Sequence, residues 1–146
     1  MKLSPHCAAI TASLLLGCAA PYKPPVSGPT AELTFYGPGG AFVNKEGAGE
    51  ACSAYEFVAR NPVGGITITV PAGKELWLGH SIPMGAASNC RTSFTLIPEA
   101  GAKYESRITT YGLSCRATLH EVSRSIPVEP ALAKQSRWPL ICQLPG

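Results

Sequence analysis

From Ala31 onward the chain consists of short runs in which apolar and polar residues alternate, separated by Gly, Pro and Asn. A period of two predicts strands with one buried face, and no stretch keeps the 3.6-residue period of a helix. The clearest run, 66–70, places three aliphatic residues on one face and two threonines on the other. The predicted strands are 32–36, 55–59, 66–70, 75–81, 91–97, 104–111 and 113–122. Seven short strands with frequent turns predict an all-β fold. This fold is either a small barrel or an antiparallel β-sandwich, and we favour the sandwich.

Two turns contain residues typical of tight connections. Pro71-Ala72-Gly73-Lys74 and Pro98-Glu99-Ala100-Gly101 combine a preset φ at proline with a glycine that tolerates positive φ. Both are predicted to close hairpins. In the strand after Gly112, alternation places Cys115 on the same face as Leu119, and this face is expected to point into the core.

The first residues have the layout of a secretory signal peptide. Lys2 supplies a positive charge, and the following apolar stretch of about ten residues is too short to cross a bilayer, which takes about 20 helical residues. This segment is therefore predicted to target the chain for export without holding it in the membrane.

The end of that stretch, Leu15-Leu16-Gly17-Cys18, resembles the lipobox of bacterial prolipoproteins. The resemblance implies that the Cys18 thiol carries diacylglycerol, that the signal peptide is cut before Cys18, and that the new amino group is acylated, commonly with palmitate. The alternative is ordinary cleavage after Cys18-Ala19-Ala20. Pro21 would then follow the cut directly, where its fixed φ and missing N–H fit poorly in an extended substrate groove.

These features divide the chain into three parts. Residues 1–17 are the signal peptide, 18–30 are the lipidated cysteine and a proline-rich tether, and 31–146 form the β-sandwich domain. Four prolines and no apolar periodicity predict an extended, flexible tether, which would hold the domain about 35–40 Å from the lipid if it adopted polyproline II geometry.

Composition bounds the mature chain. Cleavage after residue 17 leaves 129 residues, enough for a single domain. Eleven Lys and Arg stand against nine Glu, with no Asp, so the net charge is +2 without any run of like charges. Such a mild, scattered charge argues against nucleic-acid binding.

The remaining cysteines are Cys52, Cys90, Cys115 and Cys142. An even number in an exported chain predicts two disulfides, whereas a Cys₄ metal site would favour close C-x₂₋₄-C pairs that are missing from this sequence. Three pairings are possible. Our expectation is Cys52–Cys90 and Cys115–Cys142, with no metal and no cofactor.

Candidate catalytic residues are few. His80, beside Ser81, is read as an exposed strand-end histidine rather than as half of a hydrolase pair, and His120 as solvated surface. Glu99 and Glu105 flank a predicted hairpin and are the best candidates for a glycosidase pair, although an ordinary turn and strand role is favoured.

Trp77 lies between Leu76 and Leu78, so strict alternation places it on the face opposite the two leucines. An outward tryptophan is a candidate contact for a protein partner or a glycan.

A second resemblance covers about half of the mature chain. The pattern of Val70-Pro71-Ala72-Gly73, Cys90 with Phe94, Pro98-Glu99-Ala100-Gly101 with Tyr104-Glu105, and Cys115 is similar to that of small proteobacterial lipoproteins with immunoglobulin-like β domains. It implies an immunoglobulin-like sandwich in the cell envelope and brings no activity with it.

The sequence thus predicts a lipid-anchored envelope lipoprotein whose domain is not an enzyme and serves a structural or protein-interaction role. A ligand-binding or hydrolase-inhibitor module is the alternative, with Trp77 or 81–89 as the contact. In enterobacterial lipoproteins an Asp after the lipidated cysteine retains the protein in the inner membrane. Because this residue is Ala19, the expected location is the outer membrane, facing the periplasm.

Overall fold

The computed structural model describes residues 19–45, 55–85, 88–112 and 114–123, and the backbone of 126–128. This part of the chain forms nine strands. They are β1 Thr30–Tyr36, β2 Gly40–Asn44, β3 Tyr55–Arg60, β4 Ile66–Pro71, β5 Leu76–Pro83, β6 Asn89–Leu96, β7 Lys103–Tyr111, β8 Ser114–Glu121 and β9 Ile126–Val128. All seven predicted strands are present, with bounds shifted by at most a few residues.

The strands form two sheets. The five-stranded sheet has the order β4-β1-β7-β8-β9, and the four-stranded sheet has the order β3-β2-β5-β6. All neighbouring strands are antiparallel except β1 and β7, which run parallel. The predicted class, a small disulfide-stapled β-sandwich, is confirmed. The strand order differs from the ABED and CFG sheets of immunoglobulin constant domains, because β1 lies between β4 and β7.

Alternation along β1 and β4 directs apolar side chains into a core between the two sheets. In β1, Ala31, Leu33 and Phe35 are buried, while Glu32 is exposed. In β4, Val70 is fully buried and Ile68 is partly buried, but Ile66 at the start of the strand is 42% exposed; the threonines lie on the other face. Burial of these aliphatic and aromatic side chains is the main source of stability in a domain of this size.

The strand β2 was not predicted, because its residues do not alternate between buried and exposed positions. Ala41, Phe42, Val43 and Asn44 are all buried, so both faces of this central strand are covered. A short run without a period of two carries no strand signal of its own. β9 has three residues, too few for a pattern.

The two predicted hairpins are wrong. β4 and β5 belong to different sheets, as do β6 and β7, so Pro71–Lys74 and Pro98–Gly101 cross between the sheets. The two crossings lie side by side, since the Gly73 amide donates to the Pro98 carbonyl at 2.8 Å. Turn residues signal a change of direction, but they do not specify whether the next strand pairs alongside or packs opposite.

The disulfide joins Cys90 in β6 to Cys115 in β8, with Cα atoms 6.0 Å apart. It links the two sheets, because β6 belongs to the four-stranded sheet and β8 to the five-stranded sheet. Cys115 therefore points inward as predicted. The expected pairs Cys52–Cys90 and Cys115–Cys142 are wrong, and Cys52 and Cys142 themselves lie outside the described residues.

Gly39 connects β1 to β2 at a point where no side chain fits. Its φ is +83°, and a Cβ there would collide with the backbone oxygen of Ser81 in β5. Gly73 has a similar φ of +74°, but nothing lies within 4 Å of a Cβ at that position.

This contrast gives a stability prediction with an internal control. Gly39→Ala and Gly73→Ala share the cost of a positive φ, and only Gly39→Ala adds a backbone clash. We expect Gly39→Ala to lower the free energy of unfolding by about 2 kcal/mol more than Gly73→Ala. Urea denaturation of the two variants measures the difference, and equal midpoints would contradict the close approach of Gly39 to β5.

Candidate functional site

The most chemically distinctive contact in the described region lies inside the sandwich. His80 in β5 and Ser106 in β7 point toward each other from opposite sheets, with 2.7 Å between Nε2 and Oγ. The histidine is 1% exposed and the serine 0%. The predicted exposed, strand-end position of His80 is therefore wrong.

The sequence carried a signal for this burial. Leu76, Leu78 and His80 share one face of β5 by alternation, and both leucines are fully buried. β5 also continues to Pro83, so His80 is an interior residue of the strand. The alternation along β5, rather than the general exposure of histidine, decides the position of His80.

Aromatic rings enclose the imidazole. The Phe35 ring packs edge-on against His80 with centroids 5.4 Å apart, and the Phe94 ring lies 6.5 Å away. Burial lowers the pKa of His80 to about 4, so the ring is neutral near pH 7. A neutral imidazole bonded to one hydroxyl fits a low-dielectric core, where a charged ring would be costly.

A serine and a histidine in contact are also two parts of a hydrolytic triad. In triads a carboxylate orients the second ring nitrogen, and the serine lies open to substrate. Within the described part of the chain, His80 has no carboxylate partner, and the core closes both side chains from solvent. This geometry suits a polar link between the sheets.

The buried imidazole predicts a pH dependence of stability. Because the pKa of His80 falls from 6.5 in the unfolded chain to about 4 in the fold, the unfolded state binds the proton more readily. The contribution of neutral His80 to the free energy of unfolding is therefore fully present above pH 6.5. As the pH falls toward 4, the free energy of unfolding decreases by up to about 3 kcal/mol. Urea denaturation between pH 7.5 and 4 measures this loss.

The control for this prediction replaces both partners. The double variant His80→Leu/Ser106→Ala removes the titrating group without leaving an unpaired polar atom. Its unfolding free energy is expected to vary less over this pH range than that of the wild type, whereas His120→Gln, at an exposed site, is expected to follow the wild type. Identical pH profiles for the double variant and the wild type would contradict the assignment.

The other candidate residues lie apart from this pair. His120 is exposed on β8, as predicted, and faces Glu105 across the β7–β8 ladder. Glu105 lies 3.8 Å from Arg107 on its own strand. The segment that contains Glu99, expected to be the turn of a hairpin, is a crossing between the sheets, and Glu105 follows it on β7.

Trp77 falls on the predicted face of β5, opposite the buried Leu76 and Leu78. It is half-buried, and its indole N–H donates to the Glu75 carboxylate at 3.1 Å. Its predicted role as a partner contact remains a prediction.

A second notable feature is the N-terminal segment, which packs along the free edge of β3. The Phe57 amide donates to the Ala20 carbonyl at 2.7 Å, and the Tyr22 amide donates to the Phe57 carbonyl at 2.8 Å. Pro21 thereby forms a parallel bridge with Phe57. The free tether predicted for 18–30 is wrong for this part, because backbone pairing holds 20–22 against the domain.

Tyr22 extends this attachment from one sheet to the other. Its ring packs against the core, and its hydroxyl donates to the Thr69 carbonyl in β4 at 2.6 Å. Burial, with the nearby Glu56 carboxylate, raises the pKa of Tyr22 to about 12. The segment therefore closes the gap between β3 and β4, and it covers a sheet edge that would otherwise be open to association.

Charged groups secure the same edge. Lys45 forms a 2.9 Å ion pair with Glu56, donates to the Lys23 carbonyl at 2.6 Å, and lies 5.0 Å from the centre of the Tyr22 ring. The Glu56 carboxylate also accepts from the Lys23 amide at 3.1 Å. Such half-buried pairs contribute modestly to stability, and several in one place fix the path of the segment.

The proposed lipidation site, Cys18, lies outside the described residues. Among the residues that are described, no helix has the length and apolarity needed to cross a membrane, and no three His, Cys, Asp or Glu side chains converge as metal ligands.

No protein-family profile matches the chain, and no curated protein matches its sequence.

Proposed function

We propose that this protein is an envelope lipoprotein, anchored by lipid on Cys18, whose β-sandwich is a non-enzymatic structural or protein-interaction module. The observation that carries the proposal is the pairing of Ala20 and Tyr22 with Phe57. It makes the residues immediately after Cys18 part of the folded domain.

This pairing bears on the choice between the two cleavage sites. Cleavage before Cys18 leaves the edge of β3 intact. Cleavage after Ala20 would remove the carbonyl that accepts from the Phe57 amide and would place a charged amino terminus at Pro21, beside the sheet. Loss of a hydrogen-bond partner at a covered edge is unfavourable, so the edge geometry supports the lipoprotein cut.

The non-enzymatic part of the proposal is supported by the surroundings of His80 and Ser106. These two side chains have the chemistry of a hydrolase pair, yet they are enclosed between the sheets and bond to each other. A substrate would have to separate the sheets to reach them. Their contact is better suited to holding the two sheets in register.

Crosslinking in intact cells followed by mass spectrometry tests the interaction role. We expect the lipidated protein to crosslink reproducibly to an envelope protein through the outer surface of its domain, and the purified domain to leave ester, glycan and peptide substrates unchanged. Turnover of such a substrate that is lost in His80→Leu would contradict the proposal. Capture of a hydrolase together with its inhibition would favour an inhibitor module instead.

Export to an oxidising compartment also predicts the remaining disulfide. Since Cys90 and Cys115 are paired, the two other cysteines predicted to form disulfides, Cys52 and Cys142, can pair only with each other. Peptide mapping of the mature protein without reduction should yield a Cys52–Cys142 peptide. Two free thiols at these positions would contradict residence in the periplasm.

The proposed location is the outer membrane, facing the periplasm. This rests on the resemblance to enterobacterial lipoproteins and on Ala19 after the lipidated cysteine. Density-gradient separation of the two membranes is expected to recover the protein with outer-membrane markers, and recovery with the inner membrane would contradict this location.

A further inference from the structure

The two ends of the sandwich differ in their relation to the N-terminal segment. We define the Pro98 end by the crossings 72–75 and 97–102 and the turn 122–123, and the Cys90 end by the crossings 37–39 and 61–65 and the turn at Gly112. Strand registers place β1, β5 and β7 with their first residues at the Pro98 end. Eight-residue strands separate the two ends by about 25 Å.

The bonds at Ala20 and Tyr22 set the direction from which the chain enters. Pro21 runs parallel to β3, and β3 begins at Tyr55, at the Pro98 end. Residues that precede Ala20 therefore enter from that end. Cys18 is two residues from Ala20, and two residues span at most about 7 Å.

From this we infer that the domain stands on the bilayer with its Pro98 end against the lipid surface and its Cys90 end directed away. This inference rests on the proposed lipid at Cys18 and adds an orientation to it. A flexible tether would let the domain rotate freely, whereas a lipidated residue two positions from a paired strand edge restricts it to one side.

The surface of the Pro98 end fits a bilayer interface. Ile97 and Val122 project apolar side chains there with exposed fractions of 62% and 46%, and the fully exposed Val26 lies three residues before Pro29. Pro29 ties the segment that follows Val26 to this end, because its carbonyl accepts from the Ala72 amide at 2.9 Å. Isolated apolar side chains on loops insert at the boundary between headgroups and acyl chains, where their burial is favourable.

Charge at this end is of both signs. Lys23 and Lys74 are exposed and face anionic headgroups, and Lys103 is paired with Glu32 at 2.9 Å. Glu75 and Glu99 are exposed as well, and the Glu75 carboxylate accepts from the Trp77 indole. The Cys90 end also has exposed apolar residues, Val63 and Tyr111, at 69% and 64%. With the Pro98 end on the lipid, these residues face outward into the periplasm and are free for a protein partner.

The test uses the full mature lipoprotein, isotopically labelled, in nanodiscs that contain a phospholipid with a gadolinium headgroup. Amides near the paramagnetic surface relax faster. Because the ends are about 25 Å apart, we expect at least about threefold greater enhancement at Gly73, Gly101 and Val122 than at Gly39, Gly64 and Gly112. Equal enhancement at both ends, or greater enhancement at the Cys90 end, would overturn the orientation.

Two pairs of variants sharpen the result. Tyr22→Ala removes the ring that joins the segment to the core and is expected to reduce the difference between the ends, whereas Tyr22→Phe keeps the ring and should retain most of it. Ile97→Glu places a carboxylate against the lipid and should reduce the difference, while Val63→Glu at the opposite end should leave it unchanged. An unchanged difference in both Tyr22→Ala and Ile97→Glu would overturn the inference.

Failure of the anchor is separable from failure of the orientation. The intact mass of the same sample reports whether Cys18 carries lipid. Absence of lipid would overturn the proposed function and this orientation with it, whereas lipid on Cys18 with uniform relaxation would overturn the orientation alone.

Discussion

Cys18→Ala is expected to move the protein from the membrane fraction to the soluble periplasmic fraction. The proposed thioether-linked diacylglycerol and the proposed acyl group on the amino terminus both require Cys18, and stable anchoring takes two or more acyl chains. The variant still presents small residues through Ala20, which an ordinary signal peptidase recognises. Because Pro21 fits poorly directly after a cut, the released protein is expected to begin at Ala20, after the small residues Gly17 and Ala19. The apolar leader is too short to hold the protein in the bilayer.

Fractionation after osmotic release, followed by immunoblotting, measures this change. Cys7→Ala is the matched control, because Cys7 lies in the predicted signal peptide and its loss should leave the protein in the membrane fraction. A Cys18→Ala protein that remained with the membranes after cleavage of its leader would show that something other than lipid attaches it.

The second large effect is expected from the bridge between the sheets. Cys90→Ala/Cys115→Ala opens a loop with a sequence separation of 25 residues. The chain-entropy model gives such a loop about 3.5 kcal/mol of stabilisation, a large part of the stability of a small domain. We expect the unfolding free energy in urea to fall by about that amount while the sandwich is retained.

The control for the bridge changes the neighbouring residue on each strand. Asn89→Ala/Ser114→Ala alters two exposed positions next to the cysteines and keeps the disulfide. Its unfolding free energy is expected to change by less than about 1 kcal/mol. If the two double variants lost the same stability, the stabilisation would not come from the bridge between β6 and β8.

The sequence contains enough information to locate most strands but not to pair them. Alternation from Ile66 to Val70 is local, and each residue's face follows directly from it. The sheet to which a strand belongs depends on distant partners. Pro71–Lys74 and Pro98–Gly101 carry turn residues that serve equally in hairpins and in crossings between sheets. The incorrect hairpins and the incorrect disulfide pairing have this common origin.

Prediction of the candidate sites was limited in the same way. The inward direction of His80 follows from Leu76 and Leu78 on its strand, so the sequence held that information. Ser106 lies 26 residues further along, on the opposite sheet, and nothing local links it to His80. The attachment of 20–22 had no local signal either, because prolines surround Tyr22 and interrupt any pattern.

The N-terminal peptide of the mature protein, isolated from membranes and measured by mass spectrometry, tests the central claim most directly. A lipid anchor at the edge of β3 predicts a peptide that begins at Cys18 and carries diacylglycerol on the thiol and an acyl group on the amino nitrogen. A mature chain that begins at Pro21 with a free amino group would contradict the claim.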